Sequence, residues 1–275
     1  MMASKSYIID SYFSYLMPWR ERTLLKQFLL RQIRLKYRGS VLGIGWCLIT
    51  PLCQLVIYTL VFKYALRINW IGSTGGGVDF ALRMFTGLSV FTFFAECILQ
   101  APNLVLEQAN LVKKVRFPTE IMNWIILITA STSFLISMCL LLLACVITGI
   151  PASFAWFSLP LIWLPLVPLL LGISWTFSSV GVYVRDIGQM LSVLLPLLQF
   201  LCPIIYPLAA LPVKLQWILY LNPLTLIIEQ SRKAIFYGIW PDLILWSYEM
   251  IGCLFIALLG IEIHKRLSRG FADVI

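Results

Sequence analysis

Ionisable side chains are scarce in this sequence: 12% of its 275 residues are charged, against 60% that are hydrophobic. Wherever they gather is therefore a candidate for chemistry. The densest gathering is LVKKVRFPTE, Leu111–Glu120, where Lys113, Lys114 and Arg116 precede Pro118 between two long apolar stretches. A second is Arg31, Arg34 and Arg38, a stripe at i, i+3 and i+7 beside an apolar face made by Leu24, Phe28 and Leu35. That is the pattern of a helix lying on anionic lipid. Two acids, Glu96 and Glu249, lie inside apolar runs, where a carboxylate must face the bundle interior or a wet cavity. On separate helices they do not make a proton relay, and Glu96 reads as a structural or pore-lining group. The single histidine, His264, reads as a flanking residue at the end of the last apolar run.

No pattern in the chain encodes bond-making chemistry. It has no G-x-x-x-x-G-K-[ST] phosphate loop, no H-E-x-x-H, no paired-aspartate sugar-nucleotide motif and no serine-nucleophile elbow. One histidine and no clustered carboxylates leave a catalytic site without its acid and base. The seven cysteines all sit in apolar segments without metal-ligand spacing. They read as small buried hydrophobes, and no metal site is expected.

The elements that must position these residues follow from hydropathy. A spanning helix needs ~20 mainly apolar residues. Six runs qualify: Leu42–Leu66, Leu82–Gln100, Ile121–Thr148, Phe154–Val180, Met190–Leu208 and Leu243–Ile263. The fold class is therefore an all-α integral membrane protein. It reads as one transmembrane domain, with residues 1–41 as a cytoplasmic N-terminus and interfacial helix, 42–263 as the bundle and 264–275 as a cytoplasmic tail. Pro51, Pro160, Pro165 and Pro168 would kink or break their helices. Fifteen of the 21 basic residues fall on one side if the N-terminus is inside, so both termini are expected in the cytoplasm. The net charge of +9 then reads as inner-leaflet topology rather than nucleic-acid binding. The stretch Leu211–Trp240 has a short apolar core, Leu215–Ile228, broken by Asn222-Pro223. It reads as a re-entrant or interfacial helical hairpin on the outer side, between the fifth and sixth spans. The glycine-rich Gly72–Gly77 reads as an external connection.

Four collinear stretches carry a resemblance. They are RQIRLKYRGSVLGIGWCLITP (Arg31–Pro51), NLVKKVRFPTE (Asn110–Glu120), VYVRDIGQ (Val182–Gln189) and LNPLTLIIEQSR (Leu221–Arg232). In order, they resemble four elements of the ABC type-2 polysaccharide exporter permeases of bacteria. These are the basic amphipathic helix that opens the family's membrane domain, the loop after its second helix, the R-D-I/L element after its fourth and its outer N-P segment. Most of all the chain resembles an O-antigen exporter permease, and the match runs from about Phe28 to Tyr237. The resemblance implies a half-transporter of the bacterial inner membrane. Two copies of the chain would form the channel, and two copies of a separate ATPase subunit, which would hold the ATP and Mg, would drive it. No cofactor is implied for this chain. The family's main coupling helix corresponds to Pro102–Leu111, with Glu107 and Asn110, followed by Lys113, Lys114, Arg116, Phe117 and Pro118. Arg185 and Asp186 correspond to a second contact.

The cargo implied is a glycan on a polyprenyl diphosphate. Arg31, Arg34, Lys36, Tyr37 and Arg38 would lie at its inner entrance, where guanidinium groups suit a diphosphate. The family builds its channel from the first and fifth helices. Each has a mixed polar and aromatic row on which sugar rings could slide: Thr50, Gln54, Tyr58 and Phe62 in the first, Gln199, Cys202 and Tyr206 in the fifth. The second helix adds Phe91, Phe93 and Phe94. Two rivals remain open: a permease of the same architecture for a smaller lipid or drug, and a membrane-embedded glycosyl- or acyltransferase.

Overall fold

The computed structural model describes Tyr15, residues 22–37, residues 42–66, Trp70, residues 76–109 and residues 118–274. Among these there are helices and turns and no strand. A chain this apolar must satisfy its backbone groups within each segment, and a helix does so. In chain order the α-helices are α1 (Arg22–Tyr37), α2 (Trp46–Leu60), α3 (Gly76–Gln100), α4 (Leu104–Glu107), α5 (Glu120–Ile147) and α6 (Leu159–Trp163). They continue with α7 (Leu166–Tyr183), α8 (Ile187–Phe200), α9 (Val213–Tyr220), α10 (Pro223–Tyr237), α11 (Leu243–Leu267) and α12 (Phe271–Val274).

Among the described residues, four stretches are long and apolar enough to cross a bilayer: Gly76–Glu107, Glu120–Ile147, Phe154–Tyr183 and Leu243–Gly270. The apolar helices α2 and α8 are shorter, at 15 and 14 residues. At ~1.5 Å per residue each falls short of the ~30 Å of hydrocarbon. A π-helical turn, Val61–Leu66, extends α2. Pro51 does not break α2, whereas the Pro160–Pro168 region does divide its run, into a 3-10 turn (Phe154–Ser158), α6 and α7.

The expected fifth run, Met190–Leu208, is corrected. Helix α8 stops at Phe200, because Pro203 and Pro207 can neither donate to the ladder nor fit beneath it. The stretch expected to form a hairpin is two helices, α9 and α10, parted at Leu221–Asn222, and this pair is called the hairpin. Asn222 caps α10 by accepting from the Leu224 N–H at 3.0 Å, and Pro223 takes the first helical position.

The bundle has two chemically distinct ends. At one, the hairpin meets the start of α3: the Arg83 guanidinium lies over the rings of Phe236 and Tyr237. At the other, the tail meets the ends of α4 and α7: Val105, Val182 and Phe271 pack together, with Leu267 against them. We call these the hairpin end and the tail end. Between them, α6 and α7 together run beside α11 in the same direction, from Trp246 Nε1 donating to the Leu161 carbonyl on α6 (2.8 Å) to Tyr183 Oη at the end of α7 donating to the Leu267 carbonyl (2.8 Å). Their backbones nearly touch where Gly172 meets Ala257 and Gly260: a Cβ on Gly172 would stand 2.6 Å from the Ala257 Cα. Small residues at a crossing are how helices pack closely where no water drives them together. Aromatic rings fill the middle: Phe93 stacks on Phe134 at 4.9 Å, and Phe134 meets Trp163 edge-on at 5.0 Å.

Candidate functional site

The amphipathic segment is a helix as expected. Leu24, Leu25, Phe28 and Leu29 are half-buried, Arg31 is exposed, and α1 packs against α5. Arg34, Lys36 and Tyr37 lie on α1, but their side chains are outside the described residues, as is the whole of Arg38. Asn110, Leu111, Lys113, Lys114, Arg116 and Phe117 also lie outside them. What is described is the frame that holds the island's two edges.

That frame sits at the tail end. His264 is 0% exposed, which corrects its reading as a flanking residue. Its Nδ1 lies 2.7 Å from Ser179 Oγ on α7, and its Nε2 lies 3.0 Å from Thr119 Oγ1. Thr119 directly follows Pro118, so the trailing edge of the island is tied through one imidazole to α7 and α11. Trp175 Nε1 adds a bond to the Glu120 carbonyl at 3.3 Å. Among the described residues, the leading edge is held by packing. Pro102 is buried against Gly181, where a Cβ would stand 2.7 Å from the Pro102 Cα. Glu107, which closes α4, is exposed. Arg185 and Asp186 are exposed at the turn between α7 and α8, beside a groove of about 530 Å3 that continues along α8 past Gln189 and Val193. The structure therefore brings Pro102, Glu107, Pro118, Arg185 and Asp186 to the end of the bundle that also carries the tail.

At the hairpin end one cation organises three elements. Arg232, 2% exposed, donates from Nε to the Arg83 carbonyl (3.0 Å), from Nη2 to the Ile204 carbonyl (2.8 Å), and from Nη1 to the Pro203 carbonyl and to Glu229 Oε1 (2.8 Å). The Pro203 and Ile204 carbonyls lie just past the end of α8, where backbone acceptors lose their helical partners. Gly87 leaves room for the clamp: a Cβ there would stand 3.0 Å from Nη2. The Trp70 ring covers the guanidinium at 4.6 Å. Beside it, the buried Arg83 pairs with Asp79 at 2.7 Å.

The expected channel residues fall in different places. Thr50 and Gln54 line a polar cleft of about 240 Å3 with Trp46, Thr92, Glu96 and Ser133, between α2, α3 and α5. Glu96 thus shares a cleft with the first row, and Gln100 Nε2 stands 3.5 Å from its Oε1. Tyr58 is half-buried, and Phe62 is buried against Phe80 at 4.5 Å. Phe91 and Phe94 lie in the core of the chain, 6.1 Å apart. The second row is not one helical face, because α8 ends at Phe200. Gln199 is on its last turn, buried Cys202 accepts from Asn222 Nδ2 (3.2 Å), and Tyr206 folds back onto the Phe200 carbonyl (2.8 Å). Glu249 is buried in α11, and neither carboxylate oxygen has a hydrogen-bond partner among the described residues.

Sequence reasoning missed the clamp, the His264 bridge and the close approach of Gly181 to Pro102. A signal existed for the first, since an arginine in an apolar stretch needs partners. Nothing local marked the other two, whose partners lie far away in sequence.

A family model described as "ABC-2 type transporter" matches residues 23–236. The O-antigen export system permease protein RfbA of Klebsiella pneumoniae is 25% identical over 251 residues, which cover 89% of this chain and 92% of that protein. RfbA of Myxococcus xanthus is 27% identical over 221 residues, 80% of this chain and 82% of its own length. The polysialic acid transport protein KpsM of Escherichia coli is 24% identical over 249 residues, 89% and 93% of the two chains.

Proposed function

The chain belongs to the ABC-2 type transporter family, and from that premise we propose that it is the channel-forming permease of an ATP-driven polysaccharide exporter. The observation that carries this is the match along nearly the whole chain to permeases named for O-antigen and polysialic acid transport. The cargo is a glycan carried on a polyprenyl diphosphate, moved outward across a bacterial inner membrane. A glycan cannot cross ~30 Å of hydrocarbon unaided, because its hydroxyls would lose their hydrogen bonds.

The geometry supports a channel shared between two copies. Only Pro51 of α2, and Leu191 and Leu195 of α8, are buried, whereas Leu48, Leu52, Val56, Val193 and Leu197 are exposed. A second copy would cover part of these faces, and the polar cleft of Thr50 and Gln54 would lie near the path. In this reading α2, lengthened by its π-helical turn, and α8, continued by the non-helical residues 201–207, join the four longer stretches as six spans, with both termini in the cytoplasm. The α9–α10 hairpin is re-entrant from the outer side. The tail end is then cytoplasmic, and the island with Arg185 and Asp186 faces the ATPase subunits. The hydrogen bonds of His264 and the Gly181–Pro102 contact would pass movement of that loop into α7 and α11.

Co-expression with an ATPase subunit tests this. A stoichiometric complex is expected on pull-down, and Lys113→Glu/Lys114→Glu/Arg116→Glu is expected to abolish it while the protein still inserts. A chain that purifies alone whatever the loop carries contradicts the reading. The basic helix gives a second prediction. Arg31→Ala/Arg34→Ala is expected to reduce export of the lipid-linked glycan about tenfold with the ATPase complex intact, since each arginine can form paired bonds to a diphosphate. Normal surface polysaccharide in that variant would make the helix a plain membrane anchor.

A further inference from the structure

At the tail end, the ring of Phe271 meets both edges of the basic island. Phe271 opens α12 and is 2% exposed. Toward the leading edge it packs with Val105 of α4 and Val182 of α7. Toward the trailing edge it meets the His264 imidazole edge-on, 5.8 Å between ring centres, and His264 Nε2 is the atom that reaches Thr119. Tyr15 packs edge-on against the same imidazole at 5.7 Å, so His264 is held by rings as well as by hydrogen bonds.

The leading edge is less secure. Helix α4 is four residues long, too short to persist unaided. Its anchors among the described residues are the buried Val105 and, in the turn before it, Pro102 against Gly181. Loss of either would leave α4 to pivot about the other. The tail in turn is fixed where the ring leaves it. Tyr183 Oη at the end of α7 donates to the Leu267 carbonyl at 2.8 Å, and its ring lies 6.4 Å from that of Phe271. Gly270 leaves room for this hydroxyl, since a Cβ there would stand 2.5 Å from it.

We propose that Phe271 is a positioning residue for energy coupling. Its ring sets the spacing between α4 and Thr119, the two roots of the island. A push on the island from the ATPase side then moves α7 and α11 instead of being lost in a rotation of α4. Close-packed side chains transmit displacement in this way, and a gap among them does not. This role rests on the exporter reading above and extends it to the tail.

The test uses the full-length chain with its ATPase subunit, expressed in a strain deleted for the gene. Surface polysaccharide is measured per inserted complex, and ATP hydrolysis is measured on the same complex in nanodiscs. Phe271→Ala is expected to lower export per ATP hydrolysed about tenfold, within the range over which substitutions along a packed network alter coupling. Pull-down of the ATPase should be unchanged, because the charges of the island are untouched. Phe271→Leu, which refills most of the gap, is expected to restore most of the ratio. A residue that only supports the fold would lower export and hydrolysis in step, as fewer complexes survive, and leave their ratio unchanged. Should Phe271→Ala fail to accumulate, Tyr183→Phe reads the effect in its place. It removes one hydrogen bond at an exposed side chain, and is expected to lower the ratio about threefold. An unchanged ratio, or one that Phe271→Leu does not restore, overturns the positioning role. The wild-type gene separates the two readings. If it restores no surface polysaccharide to the deletion strain, the exporter itself is refuted. If it restores polysaccharide and Phe271→Ala does so at the same ratio, the positioning role alone is refuted.

Discussion

Arg232→Met is expected to destabilise the folded chain by about 3–5 kcal/mol, because it strips partners from buried acceptors and leaves Glu229 without its counter-charge. Arg232 reaches carbonyls on residues 83, 203 and 204, so its loss releases the break after α8 from α3 and α10 together. Methionine retains much of the bulk and none of the donors, which separates hydrogen bonding from packing. Arg232→Lys is expected to recover only part of the loss, since an ammonium cannot reproduce the planar fork that meets these acceptors. Thermal unfolding in detergent, followed by loss of monodisperse protein, reads the effect. A methionine variant with an unshifted midpoint would show that the hairpin is held by apolar packing alone.

Gly260→Leu is expected to cost about 3 kcal/mol or more, at the upper end of overpacking effects, because relief requires the backbones themselves to separate. A Cβ on Gly260 would overlap the Gly172 carbonyl, and α7 and α11 would have to move apart along their length. The Ser179–His264 bond lies on the same pair of helices, so the separation would also loosen the island's trailing edge. Gly252→Leu is the matched control. It lies on the same helix with nothing within 4 Å of a Cβ, and is expected to be nearly neutral. Yield and melting temperature should fall for Gly260→Leu and hold for Gly252→Leu. Equal behaviour of the two would mean that the crossing is not tightly packed in the membrane.

Both effects arise at residues whose importance is invisible one position at a time. Helix type and extent were legible because hydrocarbon leaves the backbone no alternative. The run Ile121–Thr148 became Glu120–Ile147, and Leu243–Ile263 became the first part of α11. The break between α9 and α10 was legible because Asn222-Pro223 is a local signal, a cap followed by the residue best suited to the first helical position. The family was legible because four short motifs fall in one order, and the family match covers nearly the same span. The end of α8 was misjudged because hydropathy counted Pro203 and Pro207 as compatible with a span, while the ladder does not.

The sequence by itself determined that the chain is helical, apolar, membrane-embedded and of the ABC-2 type transporter family, since composition and local motifs suffice for each of these. Only the tertiary structure decided which polar groups meet. It placed His264 between Thr119 and Ser179, aimed Arg232 at carbonyls up to 149 residues away, and enclosed the Gln230 amide with no hydrogen-bond partner among the described residues. Hydrogen bonds act over about 3 Å, and sequence separation carries no measure of that distance until the helices have packed.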